Sequence, residues 1–360
     1  MRIIFLLPGY PSEPIGGYRV VYEYANHFTL RGHEVYVVHP QKMRQYVYDG
    51  SLNKLIRRKA GIIRNILFRP RIKWQEIDSR VHMLYVPELT PIYITNGDVI
   101  FATAWQTAEY AMEYPPGKGR KFYLIQDYET WSGPQEKVDA TWRAPLQKVV
   151  IARWLYEKGL EIGVPPQQMK HIPNGIDLKK FRLINAIEDR SKRVTMLYHT
   201  DKRKGSEDGI KALMLAKEAC PNLEAVLFGV SIRPTSLPDW IDYRRNPPQN
   251  ILVKDIYNGS SIYLCSSLIE GWGLPGAEAM ACGCALVSTD TGGVRDYAID
   301  RKTALISMAH NPEALAANII LLLKDEPFRL KLAKAGYENI QNFSWERATD
   351  ALEEFINIKC

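Results

Sequence analysis

The chain has 360 residues, 46% hydrophobic and 24% charged, with a formal net charge of +7 and a pI near 9.0. That length is more than one hydrophobic core usually sustains and predicts two domains with a cleft between them. The composition is that of a globular protein, and no apolar run approaches the roughly 20 residues that cross a bilayer, which excludes a helical membrane protein.

Met1 leads directly into an apolar run over 2–7, which reads as a first strand rather than as a leader with a charged region and a small-residue cleavage site. A cytoplasmic protein is expected. Gly16-Gly17 follows, then a helical pattern over 18–30 with Val21, Tyr24, Ala25 and Phe28 on one stripe. In an open α/β sheet a glycine turn entering a helix lies beyond the strand ends, where ligands bind, although a plain turn fits this pair equally well. Further strands are predicted at 35–39, 81–86, 98–103, 121–126 and 149–152, alternating with helices as in a parallel sheet wrapped on both faces. Within this half, Lys54, Arg57, Arg58, Lys59, Arg64, Arg69, Arg71 and Lys73 form an acid-free run interleaved with Leu55, Ile56, Ile62, Ile63, Ile66, Leu67, Phe68 and Trp74. Such a basic amphipathic segment, 54–74, suits an anionic membrane surface; nucleic acid is the competing partner and a solvated helix face the plain alternative.

Ile172-Pro-Asn-Gly-Ile-Asp-Leu178 is rich in turn formers and marks a hinge. Beyond it the alternation resumes, with strands at 194–198, 225–228, 251–253, 262–265 and 285–288, a helix over 206–219, one after Leu274 and a short one introduced by Gly292-Gly293. Helices at 312–323, 327–341 and 345–358 close the chain. Two similar α/β domains, 1–172 and 173–344, are therefore expected. The five cysteines, Cys220, Cys265, Cys282, Cys284 and Cys360, are odd in number and mostly sit in apolar segments, as reduced thiols do. Cys282-Gly-Cys284 has no second Cys or His pair at ligand spacing, so structural packing rather than a metal is expected there.

Glu270-Gly-Trp-Gly-Leu-Pro-Gly-Ala-Glu278 puts two carboxylates eight positions apart across a glycine-rich turn that opens a helix. Pro275 suits a first helical turn, and Gly271, Gly273 and Gly276 leave room for backbone donors to approach a ligand. A helix starting at Leu274 would aim its free N–H groups at an anion such as a diphosphate, with Glu270 and Glu278 facing one cavity and holding hydroxyls. An ordinary glycine turn with solvated glutamates fits the same residues.

Several motifs together give the chain a more specific resemblance. They are Gly16-Gly17, Ile151-Ala-Arg-Trp-Leu155, His171-Ile-Pro-Asn-Gly-Ile-Asp177, Lys204-Gly205, Glu270 to Glu278 running on through Gly283, Gly292-Gly293 and Phe343-Ser-Trp345. The chain resembles GT-B glycosyltransferases of glycosyltransferase family 4. This resemblance implies two Rossmann-like domains facing a cleft, with 345–360 crossing back to the N-terminal domain. It implies that the C-terminal domain binds a nucleotide sugar and the N-terminal domain an acceptor. Glu270 then matches a glutamate on donor-sugar hydroxyls, Glu278 one on the ribose, and Trp272, Gly273 and Leu274 the backbone lining sugar and phosphate. Lys204 matches a lysine on the diphosphate, a charge-assisted contact worth roughly 1.5 to 3 kcal/mol that stabilises the leaving group without a metal.

Two departures stand out. The usual arginine position, about five residues before the lysine, is His199, so Arg203 or Lys202 is expected to supply the charge. A His-Asp pair common in the N-terminal domain is replaced by Gln126-Asp127-Tyr128-Glu129. Gln126 cannot take up a proton but can hydrogen-bond a sugar hydroxyl, and a retaining transfer in which departing phosphate oxygen accepts the proton needs no histidine. Gln126-Asp-Tyr-Glu-Thr-Trp131 is similar to a segment of bacterial surface-glycan rhamnosyltransferases, pointing to dTDP-L-rhamnose as donor. Trp131 and Tyr128 are candidates to stack on acceptor sugars, while Trp105 reads better as core.

The expectation is a retaining, metal-independent glycosyltransferase, cytoplasmic or peripheral at the inner membrane face, without cofactor or nucleic-acid partner, moving a sugar onto a glycan or lipid-linked acceptor. The competing readings are a sugar-nucleotide 2-epimerase on the same fold and a non-catalytic nucleotide-sugar or membrane-surface binding protein.

Overall fold

The computed structural model describes residues 1–44 and 72–357. The basic segment 54–74 falls outside the described residues except for 72–74, and so do Cys360 and the last position of the helix predicted to 358. The chain forms two compact units, one of Met1–Ile151, Leu155–Ile172 and Trp345–Cys360, the other of Ala152–Trp154 and Pro173–Ser344.

In the first unit the strands β1 (Arg2–Leu6), β2 (Glu34–Pro40), β3 (His82–Val86), β4 (Val99–Ala102), β5 (Arg120–Ile125), β6 (Gln147–Val150) and β7 (Met169–His171) pair in parallel in the order β3-β2-β1-β4-β5-β6-β7. Ile4 lies between Tyr36 of β2 and Ile100 of β4. Ile3, Ile4, Phe5 and Leu6 are all fully buried, a continuous rather than alternating run, because helices cover both faces of the sheet. The last helix, Trp345–Asn357, belongs to this unit and buries Trp345, Ala348, Thr349, Leu352 and Ile356, one helical stripe. Trp345 meets the Tyr24 ring edge-on at 5.3 Å, and the Glu353 carboxylate accepts from Arg31 at 2.6 Å and His33 at 2.7 Å.

The second unit repeats the plan with β8 (Arg193–Leu197), β9 (Glu224–Gly229), β10 (Ile241–Arg245), β11 (Ile262–Cys265), β12 (Ala285–Thr289) and β13 (Ala304–Ser307) in the order β10-β9-β8-β11-β12-β13, again all parallel. In each sheet the strand order reverses beside the first strand, between β1 and β4 and between β8 and β11. Loops leaving two such neighbours diverge to opposite sides and open a crevice at their carboxyl ends.

Three local expectations are corrected. The strand predicted at 251–253 is helical: Gln249–Ile251 runs into a π-helical turn at Leu252–Tyr257. A short apolar run does not distinguish the two states, and here the buried Val253, Ile256 and Tyr257 sit three and four apart. The missing sheet edge is β10, whose Ile241-Asp-Tyr-Arg-Arg245 buries only its first residue, so its sequence carries no apolar signal. Gly16 and Gly17 form the first turn of the helix Gly16–Leu30 rather than a turn before it.

Candidate active site

The geometry centres on the loops after β8 and β11. Asp201 caps the 3-10 turn Lys202–Lys204 by accepting from the Arg203 N–H at 2.9 Å. Gly205 ends that turn at φ +57°, and a Cβ there would lie 2.0 Å from the Ser266 carbonyl, so only glycine lets the two loops touch. Lys204 is thereby delivered to Glu270, with Nζ 2.8 Å from each carboxylate oxygen. Ser267 Oγ donates to Glu270 Oε1 at 2.7 Å. Burial pulls the Lys204 ammonium down, but the Glu270 charge and hydrogen bonds outweigh it and hold its pKa above the ordinary lysine range.

The Glu270 backbone is fixed from outside the loop. Its N–H donates to Thr291 O at 3.1 Å, and the Trp154 indole N–H is shared between the carbonyls of Glu270 and Gly271 at 3.1 and 3.0 Å. The same indole explains Gly292, at φ +79°, where a Cβ would stand 3.0 Å from the ring. The glycines of the turn pack against their own chain. Tyr297 donates to Gly273 O at 3.0 Å, and its hydroxyl lies 2.8 Å from where a Gly276 Cβ would be. Gly276 therefore makes room for Tyr297, and it also lines the cavity that Lys204 and Glu270 share. Gly273, at φ +100°, starts the helix Leu274–Ala281 with Pro275 in its first turn, as the sequence predicts.

A small cavity here is lined by Lys204, Ser267, Glu270, Gly273 and Pro275 among others. Glu278 does not line it: buried one turn into the helix, its Oε2 accepts from the Tyr257 hydroxyl at 3.4 Å. Trp272 is buried between Tyr297 and Phe343, with ring centroids 4.9 and 5.9 Å away, and Leu274 is half-buried at the helix start. Arg203 is engaged by Asp201, Nη2 to Oδ2 at 2.7 Å, and Lys202 is exposed. His199 instead turns Nδ1 to the Asp201 N–H at 2.9 Å, which leaves its ring proton on Nε2; burial, then the Lys204 charge, lower its pKa.

In the first unit the loop after β5 is tightly braced. Gln126 Nε2 donates to Gly17 O at 3.0 Å, while its Oε1 is enclosed without a hydrogen-bond partner. Asp127 accepts from the Tyr128 N–H at 2.8 Å and from the Trp131 indole at 3.2 Å, and Trp131 is 57% exposed. Glu129 accepts from the Trp105 N–H, at a helix start, at 2.8 Å. Burial, with Asp127 adding to it against the Trp105 N–H, pushes the Glu129 carboxyl up to about 8. Trp105 is core, its indole donating to Ser132 at 2.9 Å, and Tyr128 is pinned by its hydroxyl to Asp139 at 2.7 Å. Thr291 and Tyr297 escape sequence reasoning because each acts on a backbone group distant in sequence, Trp154 lies in the 151–155 motif but its role on two distant carbonyls is not legible there, and Ser267 carries no motif signal although it is only three residues from Glu270.

Among the described residues no group of three or more His, Cys, Asp or Glu is placed to hold a metal ion, and no helix is long and apolar enough to cross a membrane. Cys282 and Cys284 are buried free thiols, and burial pushes that of Cys284 up to about 11.

Residues 178–339, which include Lys204, Glu270 and Glu278, match the family described as glycosyl transferases group 1. The D-inositol 3-phosphate glycosyltransferase of Corynebacterium aurimucosum is 33% identical over 107 residues, 30% of this chain and 25% of the relative. That of Nocardiopsis dassonvillei is 29% identical over 110 residues, 30% of this chain and 26% of the relative. The chain thus spans about a quarter of the length of these relatives. The crystal structure of Anabaena HepE with UDP-glucose superposes with a TM-score of 0.72 at 14% identity, covering 99% of both chains. Sucrose-phosphate synthase from Thermosynechococcus elongatus gives 0.70 at 18% identity over 98% of both. The fold is GT-B, and the chain carries a glycosyl transferases group 1 domain.

Proposed function

We propose that this chain is a retaining glycosyltransferase that takes a sugar from a nucleotide sugar and passes it to a glycan or lipid-linked acceptor. The observation that carries this reading is the Lys204–Glu270 pair, 2.8 Å apart at the β8/β11 crevice, inside the stretch that matches glycosyl transferases group 1. Lys204 meets the diphosphate and stabilises the charge that grows on it as the glycosidic bond breaks, so the reaction needs no metal for that purpose. Glu270 accepts from sugar hydroxyls. Glu278, one turn into the helix and beside Tyr257, holds the ribose, and the backbone of Trp272, Gly273 and Leu274 lines the donor.

In the first unit Gln126 carries an enclosed, partnerless Oε1 that meets an acceptor hydroxyl once a side-chain shift uncovers it, and the exposed Trp131 offers a flat face to a sugar ring. No histidine is required as base, because a departing phosphate oxygen on the same sugar face accepts the acceptor proton. The donor we favour is dTDP-L-rhamnose, from the likeness of Gln126–Trp131 to surface-glycan rhamnosyltransferases. UDP-glucose, seen bound to HepE, is the first alternative. Inositol phosphate, the substrate named for the matched relatives, joins the acceptor panel.

The test is donor turnover with a panel of UDP-, GDP-, dTDP- and ADP-sugars and candidate acceptors, comparing wild type with Lys204→Ala and Glu270→Ala. Both variants are expected to keep the fold and lose transfer. Substantial transfer by either would overturn the donor-site assignment, and NMR detection of an epimerised donor without acceptor would make the chain an epimerase instead.

A further inference from the structure

Lys204 and Glu270 are given to each other in this structure, although the proposed function assigns them to different parts of the donor. The ammonium places two of its three donors on one carboxylate, at 2.8 Å to each oxygen, and Ser267 occupies Oε1 as well. The side chains are only 27% and 15% exposed, so water screens the pair weakly. A diphosphate oxygen can take the one remaining N–H, but to meet Lys204 through more than a single hydrogen bond it must draw the ammonium from Glu270.

We infer that Glu270 acts as a built-in counter-ion that competes with the nucleotide for Lys204, making the site favour a nucleotide that still carries its sugar over the nucleoside diphosphate left after transfer. This rests on the donor site proposed above.

The two ligands differ in what they return to Glu270. A donor brings sugar hydroxyls, which give the carboxylate new hydrogen-bond donors as Lys204 turns to the diphosphate. A free nucleoside diphosphate also draws Lys204 away but brings no hydroxyl to Glu270, and it sets further negative charge beside a carboxylate that has lost its cation. Leaving an enclosed charged group unpaired is unfavourable. The anchors behind Glu270, the Thr291 carbonyl on its N–H and the Trp154 indole on its own carbonyl, hold the residue at this post. Lys204 keeps its proton near neutral pH, so the contest is between two anions for a fixed cation. The consequence is easier release of the spent nucleotide without weaker capture of the donor.

The experiment is calorimetric titration of the full chain with UDP and UDP-glucose, with dTDP and dTDP-L-rhamnose, and with inorganic pyrophosphate as a base-free probe. Wild type is compared with Glu270→Gln and Glu270→Ala, each checked for a native circular dichroism spectrum. Either variant, if folded, is expected to bind the nucleoside diphosphate and pyrophosphate about tenfold more tightly, a change of about 1.4 kcal/mol. Its preference for the sugar-bearing form should shrink at the same time. The gain should vanish when Lys204→Met is added, because nothing is then left to compete for. Unchanged or weaker nucleoside diphosphate binding by the variants overturns the inference while leaving the proposed function standing, provided wild type binds and turns over the donor. A wild type that binds none of the probes overturns both.

Discussion

Glu129 offers a quantitative test of how the loop after β5 is built. Its carboxyl accepts from the Trp105 N–H at 2.8 Å and stands near the Tyr123 hydroxyl at 3.5 Å. The residue keeps some accessible surface, but the carboxyl itself is enclosed, and its pKa rises from 4.5 to about 8. Between these values the folded chain holds a proton that the unfolded chain has lost, so stability falls as pH rises through that window and levels off above about 8. At about 1.4 kcal/mol for each tenfold change in proton affinity, the ceiling on this effect is about 5 kcal/mol. Glu129→Gln keeps an acceptor for the Trp105 N–H and cannot ionise. Its stability relative to wild type is therefore expected to grow between pH 5 and pH 8, read as the difference in calorimetric melting temperature at a series of pH values, where groups common to both proteins cancel. Asp127→Asn removes a nearby negative charge and should shrink the difference. A difference that stays flat, or wild type gaining on the variant as pH rises, would refute the reasoning.

Gly205→Ala is expected to lower stability by about 2 kcal/mol or more, since it combines a left-handed backbone with a Cβ 2.0 Å from the Ser266 carbonyl. Urea denaturation measures it, and an unchanged midpoint would contradict the close approach of the two loops. Arg190→Met strips the buried guanidinium from the carbonyls of Asn185 and Ser260, both at 3.1 Å, and should cost about 3 kcal/mol by the same method. Gln126→Ala should reduce transfer to the acceptor about 10- to 100-fold, as loss of one or two enclosed hydrogen bonds does, with nucleotide affinity unaltered. Weakened nucleotide binding in that variant would put Gln126 in a different role.

Most of the two sheets was legible because parallel strands buried on both faces are written as unbroken apolar runs, such as Ile3 to Leu6 and Leu286-Val287. The edges were not. β10 displays Asp242, Arg244 and Arg245 to solvent, and β7 is three residues long, so neither carries the apolar density that marks a strand. Of the candidate site, Glu270 stands out by the turn chemistry after it, Gly271 and Gly273, whereas Lys204 is reached only through the family resemblance that Lys204-Gly205 helps to carry. What their sequence hid was their partnership. It depends on β8 pairing with β11, and on Trp154 and Tyr297 fixing carbonyls, interactions that side-chain identity near Glu270 does not encode. The Tyr257 hydroxyl on Glu278 was equally hidden, because it is supplied by a π-helical turn whose apolar residues read as a strand.

The adjacency of β8 and β11 also bears on how the protein acquires its site. Met196 and Leu264 are partners in the sheet, yet the chain between them includes β9 and β10, which lie on the other side of β8. Joining them closes a long loop, an entropically costly event that belongs late in the ordering of this unit. Lys204 and Glu270 lie on the loops that leave these two strands, so their 2.8 Å contact depends on that pairing. The Lys204–Glu270 pair would then appear only with the completed sheet during refolding or synthesis, so its formation reports on the last step of building this unit.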